Sequence, residues 1–337
     1  MNLPRLSRCV RSFAACALIL GSATAVPAQD KVTFATNWRA QATHGGFFQA
    51  VADGTYRKYG LEVEIQQGGP QVNNRAMLPA GRIDFLMTGG LLTALENTRN
   101  KVPTVIVAAY FQKDPTALIA HKGEYKNFAE LKNAKSVFIA KSNQFGFWQW
   151  LKAEHGFSDE QFKPYTFNIG PFMVDKKSVQ QAFATSEVLY ARDQGTEVDV
   201  FLLADQGYNT YGNLIETRTE LVKNKPDLVQ RFVDASTIGW NNFLYGDPKP
   251  GLDLIKKFNP DVNDAKLAAE REQMIRLDLV DSGDAKTKGI GAIDMPRVRD
   301  FAARMVKAGI YKPSEVDADL AVTDRFVNKG VGVKAAK

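Results

Sequence analysis

The pattern of hydrophobic and polar positions near the start of the chain predicts a strand, a loop, a helix and a second strand. Residues 31–36 alternate and are rich in β-branched and aromatic side chains, as in a short strand. Residues 37–46 have no periodicity, whereas residues 47–59 have the spacing of an amphipathic helix. Residues 61–65 alternate again, as a half-buried strand does. A polar loop between the carboxyl end of a strand and a helix is where open α/β sheets bind ligands.

Strand and helix patterns alternate along most of the remaining chain. The strand patterns lie at residues 81–87, 104–111, 117–120, 136–140, 198–203 and 214–217. The helix patterns lie at residues 74–80, 91–99, 127–132, 145–154, 178–184 and 225–244, followed by a helical tail at residues 252–308. The helix at 178–184 is expected to end in a turn at Thr185 and Ser186. Strands that alternate with helices predict α/β architecture with mostly parallel sheets flanked by helices.

Residues 1–28 have the pattern of an export signal. They contain three arginines and no acid, an apolar run at residues 13–20 and small residues up to Ala28. The run is shorter than the roughly 18–20 residues that a membrane span needs. We therefore predict cleavage after Ala28 and a periplasmic location. A short membrane anchor and lipid attachment at Cys16 are the alternatives.

Composition and charge exclude several classes of protein. The hydrophobic content of 45% and the charged content of 24% are typical of globular proteins. Without the three arginines of residues 1–28, 40 basic residues stand against 37 acidic ones, a net charge of +3. This excess is too small and too scattered to indicate a nucleic-acid partner. Cys9 and Cys16 both lie in the predicted signal, so the mature chain is expected to have no disulfide and no thiolate metal site.

The sequence contains no recognisable catalytic or metal-binding motif. His44, His121 and His155 are far apart and lack cysteine or carboxylate companions at metal-ligand spacing. There is no G-x-S-x-G, no P-loop and no G-x-G-x-x-G after the first predicted strand. We therefore expect no metal, no cofactor and no catalytic residue.

Several segments of the chain resemble one known family. Trp38, His44 and Gly46 are followed by an aromatic pair and by Y-G-L-x-V-x-I at residues 59–65, and this pattern resembles the opening of the THI5-like (NMT1) proteins. The G-R-I-D-F segment at residues 81–85 and the T-S-E segment at residues 185–187 are similar to further parts of that family. Val188 stands where the family usually has proline. Members include periplasmic solute receptors of ABC importers, which are similar to nitrate, sulfonate and taurine receptors.

The resemblance implies a two-lobe periplasmic binding protein of type II with a two-strand hinge. Residues 29–116 and 213–330 would form lobe I, residues 117–212 lobe II, and residues 331–337 a flexible tail. Such a receptor closes on its ligand by hinge bending. The resemblance also implies a monomer that binds a small molecule and presents both lobes to an inner-membrane ABC permease.

The candidate ligand-binding residues follow predicted strands in both lobes, and they are Trp38, His44, Thr88, Gly89, Ser142, Asn143, Phe145, Glu187 and Asp205. The carboxylate of Glu187 would repel an anion, but it would accept two hydrogen bonds from the ring nitrogen and amino group of an aminopyrimidine. Trp38 and Phe145 would stack on the ring. We therefore predict a receptor for a nitrogen heteroaromatic, by preference a thiamine pyrimidine precursor.

Three alternatives stay open at this point. Arg39, Lys141 and Arg192 would suit an anionic ligand such as a sulfonate or nitrate, and riboflavin fits the same aromatic pattern. The third alternative is an enzyme, because THI5-type enzymes consume a histidine from a loop similar to that of His44. Those enzymes need lysine-bound pyridoxal phosphate and have a cysteine cluster associated with iron. The mature chain has no cysteine, so we interpret His44 as a ligand contact or as a hydrogen-bonding residue that orders its loop.

Overall fold

A computed structural model describes residues 29–69, 72–144, 146–166 and 168–331, apart from the side chain of Ser142. The predicted signal peptide and residues 332–337 of the predicted tail lie outside these residues. The described residues form ten strands, which are β1 (Asp30–Ala35), β2 (Leu61–Gln66), β3 (Phe85–Gly90), β4 (Thr104–Phe111), β5 (Thr116–His121), β6 (Val137–Ile139), β7 (Phe162–Pro164), β8 (Val179–Phe183), β9 (Val198–Leu202) and β10 (Gly212–Arg218).

The helices surround these strands, and a long helical region follows the last strand. The α-helices are α1 (Gly45–Ala52), α2 (Thr55–Lys58), α3 (Asn74–Met77), α4 (Leu91–Arg99), α5 (Phe147–His155), α6 (Gly170–Val174), α7 (Glu187–Asp193), α8 (Thr219–Asn224), α9 (Pro226–Tyr245), α10 (Lys249–Phe258), α11 (Asp264–Arg276), α12 (Ala285–Lys288), α13 (Met295–Lys307) and α14 (Ala318–Ala321). Short 3-10 helices cover Ala42–His44, Phe128–Asn133, Lys141–Asn143 and Leu203–Gln206.

The strands form two five-stranded sheets with the same topology. Sheet A has the order β2-β1-β3-β10-β4, and sheet B has the order β7-β6-β8-β5-β9. In each sheet four strands run in one direction and the fourth strand in the order runs against them. The antiparallel strand of each sheet, β10 or β5, is the first strand after the chain arrives from the other sheet. The predicted α/β fold with two mostly parallel sheets flanked by helices is confirmed.

The chain crosses between the sheets twice, at residues 112–115 and at residues 203–211. Gly212 at the start of β10 is paired with Gly90 and Phe111, at the carboxyl ends of β3 and β4. Thr116 at the start of β5 is paired with Phe183, at the carboxyl end of β8. The carboxyl ends of both sheets therefore meet at the crossings, and their exit loops face each other. The predicted lobe boundaries, at residues 116/117 and 212/213, stay a prediction.

Arg297 from α13 holds the two crossings together. Its Nη2 donates to the carbonyl oxygen of Gln112 in the first crossing and to that of Thr210 in the second, each at 2.9 Å. Its guanidinium lies 3.8 Å from the centroid of the Tyr211 ring, which is a favourable cation–π geometry. These contacts fix the spacing of the two crossings, which are the hinge segments. We therefore expect the two segments to bend as one unit.

Several elements differ from their sequence-based predictions. The strand predicted at residues 81–87 lies at Phe85–Gly90, and the helix predicted at residues 127–132 is a 3-10 helix. Two further differences are larger. The predicted helix at residues 178–184 is wrong, because this segment forms the strand β8 between β5 and β6. Hydrogen bonding to neighbours on both sides here outweighs local propensity. The predicted helix at residues 47–59 is also wrong in its continuity, since it divides into α1 and α2. Gly54 adopts a left-handed conformation with a φ of 76°, and Asp53 Oδ1 accepts a hydrogen bond from the Thr55 N–H at 2.9 Å.

The core beneath sheet A is aromatic and holds α1 against α9. The ring centroids of Phe85 and Phe232 lie 3.9 Å apart, and Phe47 packs edge-on against Trp240 at 5.7 Å. All four side chains are buried. Burying such a side chain contributes roughly 1.5–3 kcal/mol to stability. This packing fixes the position of α1 and of the loop that enters it. Within the described residues, no helix combines the length and apolar character that crossing a bilayer requires.

Candidate functional site

The candidate site is the cleft between the carboxyl edges of the two sheets. On the side of sheet A it is bordered by the loop at residues 36–44 after β1 and by the end of β3. On the side of sheet B it is bordered by residues 140–144 after β6 and by the turn at residues 184–187 after β8. This is the edge at which open α/β sheets bind ligands.

His44 lies inside the loop after β1 and is 1% exposed. Its Nδ1 accepts a hydrogen bond from the Gln41 N–H at 3.2 Å, so its proton is on Nε2, which donates to Asn37 Oδ1 at 3.3 Å. Complete burial lowers the pKa of His44 from 6.5 to about 3. The imidazole is therefore neutral and orders the loop. Its direct contact with a ligand stays a prediction.

Trp38 is held at the mouth of the cleft by its backbone. Its carbonyl oxygen accepts hydrogen bonds from Thr36 Oγ1 at 2.7 Å and from the Gly68 N–H at 3.1 Å. Its side chain is partly exposed, which is compatible with stacking on a ligand. The neighbouring Arg39 forms an ion pair with Asp261 at 3.0 Å.

Thr88 and Gly89 lie near the carboxyl end of the strand β3, beside the second crossing. Thr88 is buried, whereas Gly89 is exposed, and a Cβ atom built at Gly89 would meet no heavy atom within 4 Å. The next helix, α4, begins with the Leu91 N–H, which donates to Thr210 Oγ1 at 3.0 Å. Gly89 therefore presents open backbone to the cleft, while Thr88 contributes to the core.

The loop after β6 forms the opposite border of the cleft. Asn143 lies in the 3-10 helix Lys141–Asn143, is half-buried, and accepts a hydrogen bond on its carbonyl oxygen from the Gly146 N–H at 3.0 Å. Phe145 and the side chain of Ser142 lie outside the described residues. The ligand contacts predicted for these residues stay predictions.

Glu187 is the first residue of α7, directly after the turn that follows β8. Its Oε2 accepts hydrogen bonds from the Phe183 N–H at 2.8 Å and from Ser186 Oγ at 2.7 Å. Its Oε1 accepts a longer one, of 3.4 Å, from the Tyr165 hydroxyl. A carboxylate has about four acceptor positions. Glu187 therefore retains about one for a ligand, and the predicted two-bond contact would require Tyr165 to move.

Glu270, on α11, was not predicted as a site residue. Its side chain is 1% exposed, and its Oε2 accepts a hydrogen bond from the Ala42 N–H at 3.0 Å. Its Oε1 has no hydrogen-bond partner among the described residues. Burial raises the pKa of Glu270 to about 7, and the negative charge of Glu187 contributes to the rise. The sequence contained one signal, because Glu270 lies on the helix face of the buried Leu267 and Met274.

Asp205 lies in the second crossing, directly after β9. It forms an ion pair with Lys113 at 2.9 Å, so each crossing contributes one partner. The Asp205 side chain is 54% exposed. The pair joins the two hinge segments, and a ligand contact by Asp205 stays a prediction. Among the described residues no three histidine, aspartate or glutamate side chains are grouped in a way that could hold a metal ion.

Two relatives are similar to this chain over very different lengths. The riboflavin-binding protein RibY of Chloroflexus aurantiacus is 26% identical over 319 residues, which are 91% of this chain and 88% of that protein. The 4-amino-5-hydroxymethyl-2-methylpyrimidine phosphate synthase of Schizosaccharomyces pombe is 28% identical over 117 residues, which are 35% of this chain and 33% of that protein.

Solved structures of periplasmic binding proteins share the fold. The aliphatic sulphonate binding protein SsuA of Escherichia coli matches with a TM-score of 0.64 and 11% identity over 87% of this chain and 92% of that chain. The nitrate-binding protein NrtA of Synechocystis PCC 6803 matches with a TM-score of 0.60 and 12% identity over 88% of this chain and 87% of that one. Residues 41–249 match the model of the family described as NMT1/THI5 like. The chain therefore has the fold of periplasmic binding proteins and belongs to the NMT1/THI5-like family.

Proposed function

We propose that this protein is the periplasmic substrate-binding receptor of an ABC importer and closes on a nitrogen heteroaromatic, by preference a thiamine pyrimidine precursor. One observation carries the ligand class. Two acidic side chains, Glu187 beyond sheet B and Glu270 beside the loop of sheet A, are close enough for the charge of one to act on the other. A ligand that supplies an N–H group to Glu187 compensates its negative charge, and an anion does not.

The basic residues near the cleft have little to offer an anion. Arg39 already pairs with Asp261, and Lys113 already pairs with Asp205. Lys141 and Arg192 are exposed. A nitrate or sulfonate receptor is expected to direct cations or helix N-termini at its ligand. The names of SsuA and NrtA therefore support the fold but not the ligand of this protein.

The proposed receptor action follows from the two crossings. Among the described connections between strands, only residues 112–115 and 203–211 pass from one sheet to the other. Ligands of proteins with this fold bind between the two lobes. Closure would bring the turn at residues 184–187 toward the loop at residues 36–44. We propose that the closed form, as a monomer, presents both lobes to an inner-membrane permease.

Riboflavin is the second candidate ligand, because RibY is similar to this chain over most of its length. The flavin ring also presents N–H groups and a flat surface for stacking on Trp38. An enzymatic role is supported only by the pyrimidine synthases, which match about a third of the chain. A histidine that is consumed as a reactant must be accessible, whereas His44 is buried.

Calorimetry against a ligand panel tests the proposal. We expect micromolar or tighter binding of an aminopyrimidine or riboflavin, because two hydrogen bonds and one or two stacked aromatic rings supply roughly this affinity. Nitrate and taurine are expected not to bind. Mass spectrometry of the recovered ligand checks that it is chemically unchanged. Preferred binding of an anion, binding of no solute on the panel, or turnover of the ligand would contradict the proposal.

The variant Glu187→Gln is expected to weaken aminopyrimidine binding by about 2 kcal/mol, roughly thirtyfold, because it removes a charge-assisted hydrogen bond. The affinity for an anion should stay the same or rise. Tyr165→Phe is the matched control, since it removes the 3.4 Å contact with Glu187 Oε1 and leaves the charge in place. Equal affinities of wild type and Glu187→Gln for the aminopyrimidine would exclude Glu187 as a ligand contact.

A further inference from the structure

We propose that Oε1 of Glu270, which has no partner among the described residues, is a second recognition atom of the cleft. It would donate a hydrogen bond to the ligand while Glu187 accepts one. The ligand class is then a heterocycle whose edge carries a hydrogen-bond acceptor next to an N–H donor. A ring nitrogen beside an amino group has this edge, and so does a carbonyl beside a ring N–H. The inference rests on the proposed receptor function and specifies the ligand edge that the same cleft recognises.

The position of the proton follows from the one contact that Glu270 makes. Its Oε2 accepts the Ala42 N–H at 3.0 Å, so this oxygen must keep a lone pair directed at the loop. The unprotonated oxygen of a carboxyl group is the stronger acceptor, so the Ala42 contact favours placing the proton on Oε1. That atom is buried and meets no partner among the described residues. Buried polar atoms in folded proteins nearly always have a partner, and a ligand is the partner that a binding cleft supplies.

Helix α11 connects the two sides of the cleft, which places Glu270 between them. Before the helix, Asp261 pairs with Arg39 in the loop of sheet A. After it, Leu277 packs against a cluster from sheet B and its exit turn, consisting of Ala117, Ala184 and Leu202. Ala184 is three residues before Glu187 in the same turn. Glu270 lies near the middle of this helix, in contact with Ala42 and within the electrostatic reach of Glu187.

The charges around Glu270 favour its protonated form near neutral pH. Burial raises the pKa of Glu270, and the negative charge of Glu187 adds to the rise, whereas the Ala42 N–H and Lys266 on the same helix oppose it, with a result of about 7. The adjacent 3-10 helix contributes only the neutral His44. Arg271 is directed away, since it donates to the carbonyl oxygens of Phe243 and Leu244. Glu270 is thus largely a donor at pH 6 and largely a second anion at pH 8.5.

This arrangement discriminates between the candidate ligands by hydrogen-bond pattern. Nitrate and sulfonates without an amino group carry acceptors only, so they would satisfy Glu270 but meet the lone pair and charge of Glu187. An aminopyrimidine or a flavin offers an acceptor to Glu270 and an N–H to Glu187. Leaving one of the two recognition atoms unpaired in the closed cleft is what would make such a site selective.

Two substitutions of Glu270 test the inference by calorimetry, with riboflavin and 4-aminopyrimidine as probes between pH 6 and pH 8.5. In Glu270→Gln the amide oxygen can accept the Ala42 N–H, and the amide nitrogen donates at the Oε1 position at every pH. In Glu270→Met both functions are lost. The apparent affinity is proportional to the fraction of protein in which Glu270 is protonated. The affinity of the wild type for the probe should therefore fall about thirtyfold, relative to that of Glu270→Gln, between pH 6 and pH 8.5. The probe's own ionisation affects its binding to both proteins equally at each pH, so its effect cancels in the comparison with Glu270→Gln.

We expect Glu270→Met to bind the probe that the wild type binds at least about tenfold more weakly at pH 6, while Glu270→Gln binds it like the wild type. Parallel pH profiles of wild type and Glu270→Gln would overturn the inference, and so would unchanged binding by Glu270→Met. The proposed receptor function would survive either result. If the wild type binds neither probe, the proposed function itself fails. Thermal unfolding checks that each variant is folded. If Glu270→Met does not fold, the pH profile of Glu270→Gln alone tests the inference.

Discussion

The variant Gly239→Ala is expected to lower the free energy of unfolding by about 3 kcal/mol. Gly239 lies in α9 where this helix crosses α1, and a Cβ atom at this position would lie 2.3 Å from the carbonyl oxygen of Gly46 and 2.6 Å from the Cβ atom of Ala50. Backbone atoms cannot rotate away as a side chain can, so the helices would have to separate. The higher helix propensity of alanine, about 1 kcal/mol, offsets only part of this cost.

Chemical denaturation measures the effect of Gly239→Ala, with Gly89→Ala as the control. A Cβ atom at Gly89 meets no heavy atom within 4 Å, so the control should unfold within about 0.5 kcal/mol of wild type. Because α1 follows directly on the loop at residues 36–44, Gly239→Ala should also weaken ligand binding while the protein is still folded. Equal stability of Gly239→Ala and wild type would show that the two helices are not in close backbone contact.

Acid is expected to destabilise the protein through His44. The pKa of His44 is lowered by burial from 6.5 to about 3 in the folded protein, whereas the unfolded chain keeps the ordinary value. The stabilising contribution is therefore complete above pH 6.5 and is lost as the pH falls toward 3, because only the unfolded state binds the proton. The loss amounts to about 5 kcal/mol over the full range and about 3 kcal/mol by pH 4.

The variant His44→Asn isolates this contribution, because asparagine does not titrate and its Oδ1 can accept the Gln41 N–H. At pH 7 the variant should be less stable than wild type, since it is smaller and leaves a cavity. The difference should shrink by about 3 kcal/mol as the pH is lowered to 4. Burial raises the pKa of Asp114 to about 6 and that of Glu270 to about 7, and these shifts oppose the acid effect equally in both proteins. A constant difference across this range would show that His44 titrates normally.

Both predictions concern the loop at residues 36–44. They describe how buried contacts fix the position of this polar loop at the edge of the cleft. The close contact of α1 with α9 fixes where the loop ends. The hydrogen bonds of His44 fix its fold, and the Ala42 N–H from the same loop binds Glu270. Damage to either support is therefore expected to reduce both stability and ligand affinity.

Elements with strong local patterns were predicted from the sequence to the residue. Helix Leu91–Arg99 and strand Thr104–Phe111 have the predicted bounds, since the extended Gly90 ends a strand directly before the helix and Thr104–Phe111 is a largely apolar run buried along its whole length. The segment Val179–Phe183 was predicted as a helix because its glutamines and alanine have little strand character. Its conformation depends on pairing with β5 and β6, which are distant in sequence.

Some residues of the candidate site could likewise be predicted from the sequence, and others could not. Glu187 and the loop of Trp38 and His44 were predicted because their segments resemble a family pattern. Glu270 was missed, because its partner Ala42 is 228 residues away along the chain. Hydrogen bonds over such separations have no periodicity in the sequence, and a single acid on an apolar helix face is a weak signal by itself.

The sequence by itself determined the α/β class, the family and most of the order of strands and helices, with β8 as an exception, because these follow from local periodicity and from short motifs. Only the tertiary structure decided the direction of the strands after each crossing, the neutral state of His44 and the burial of Glu270 beside a second acid. Pairing, desolvation and charge interactions depend on which distant segments come together, and no local pattern encodes that.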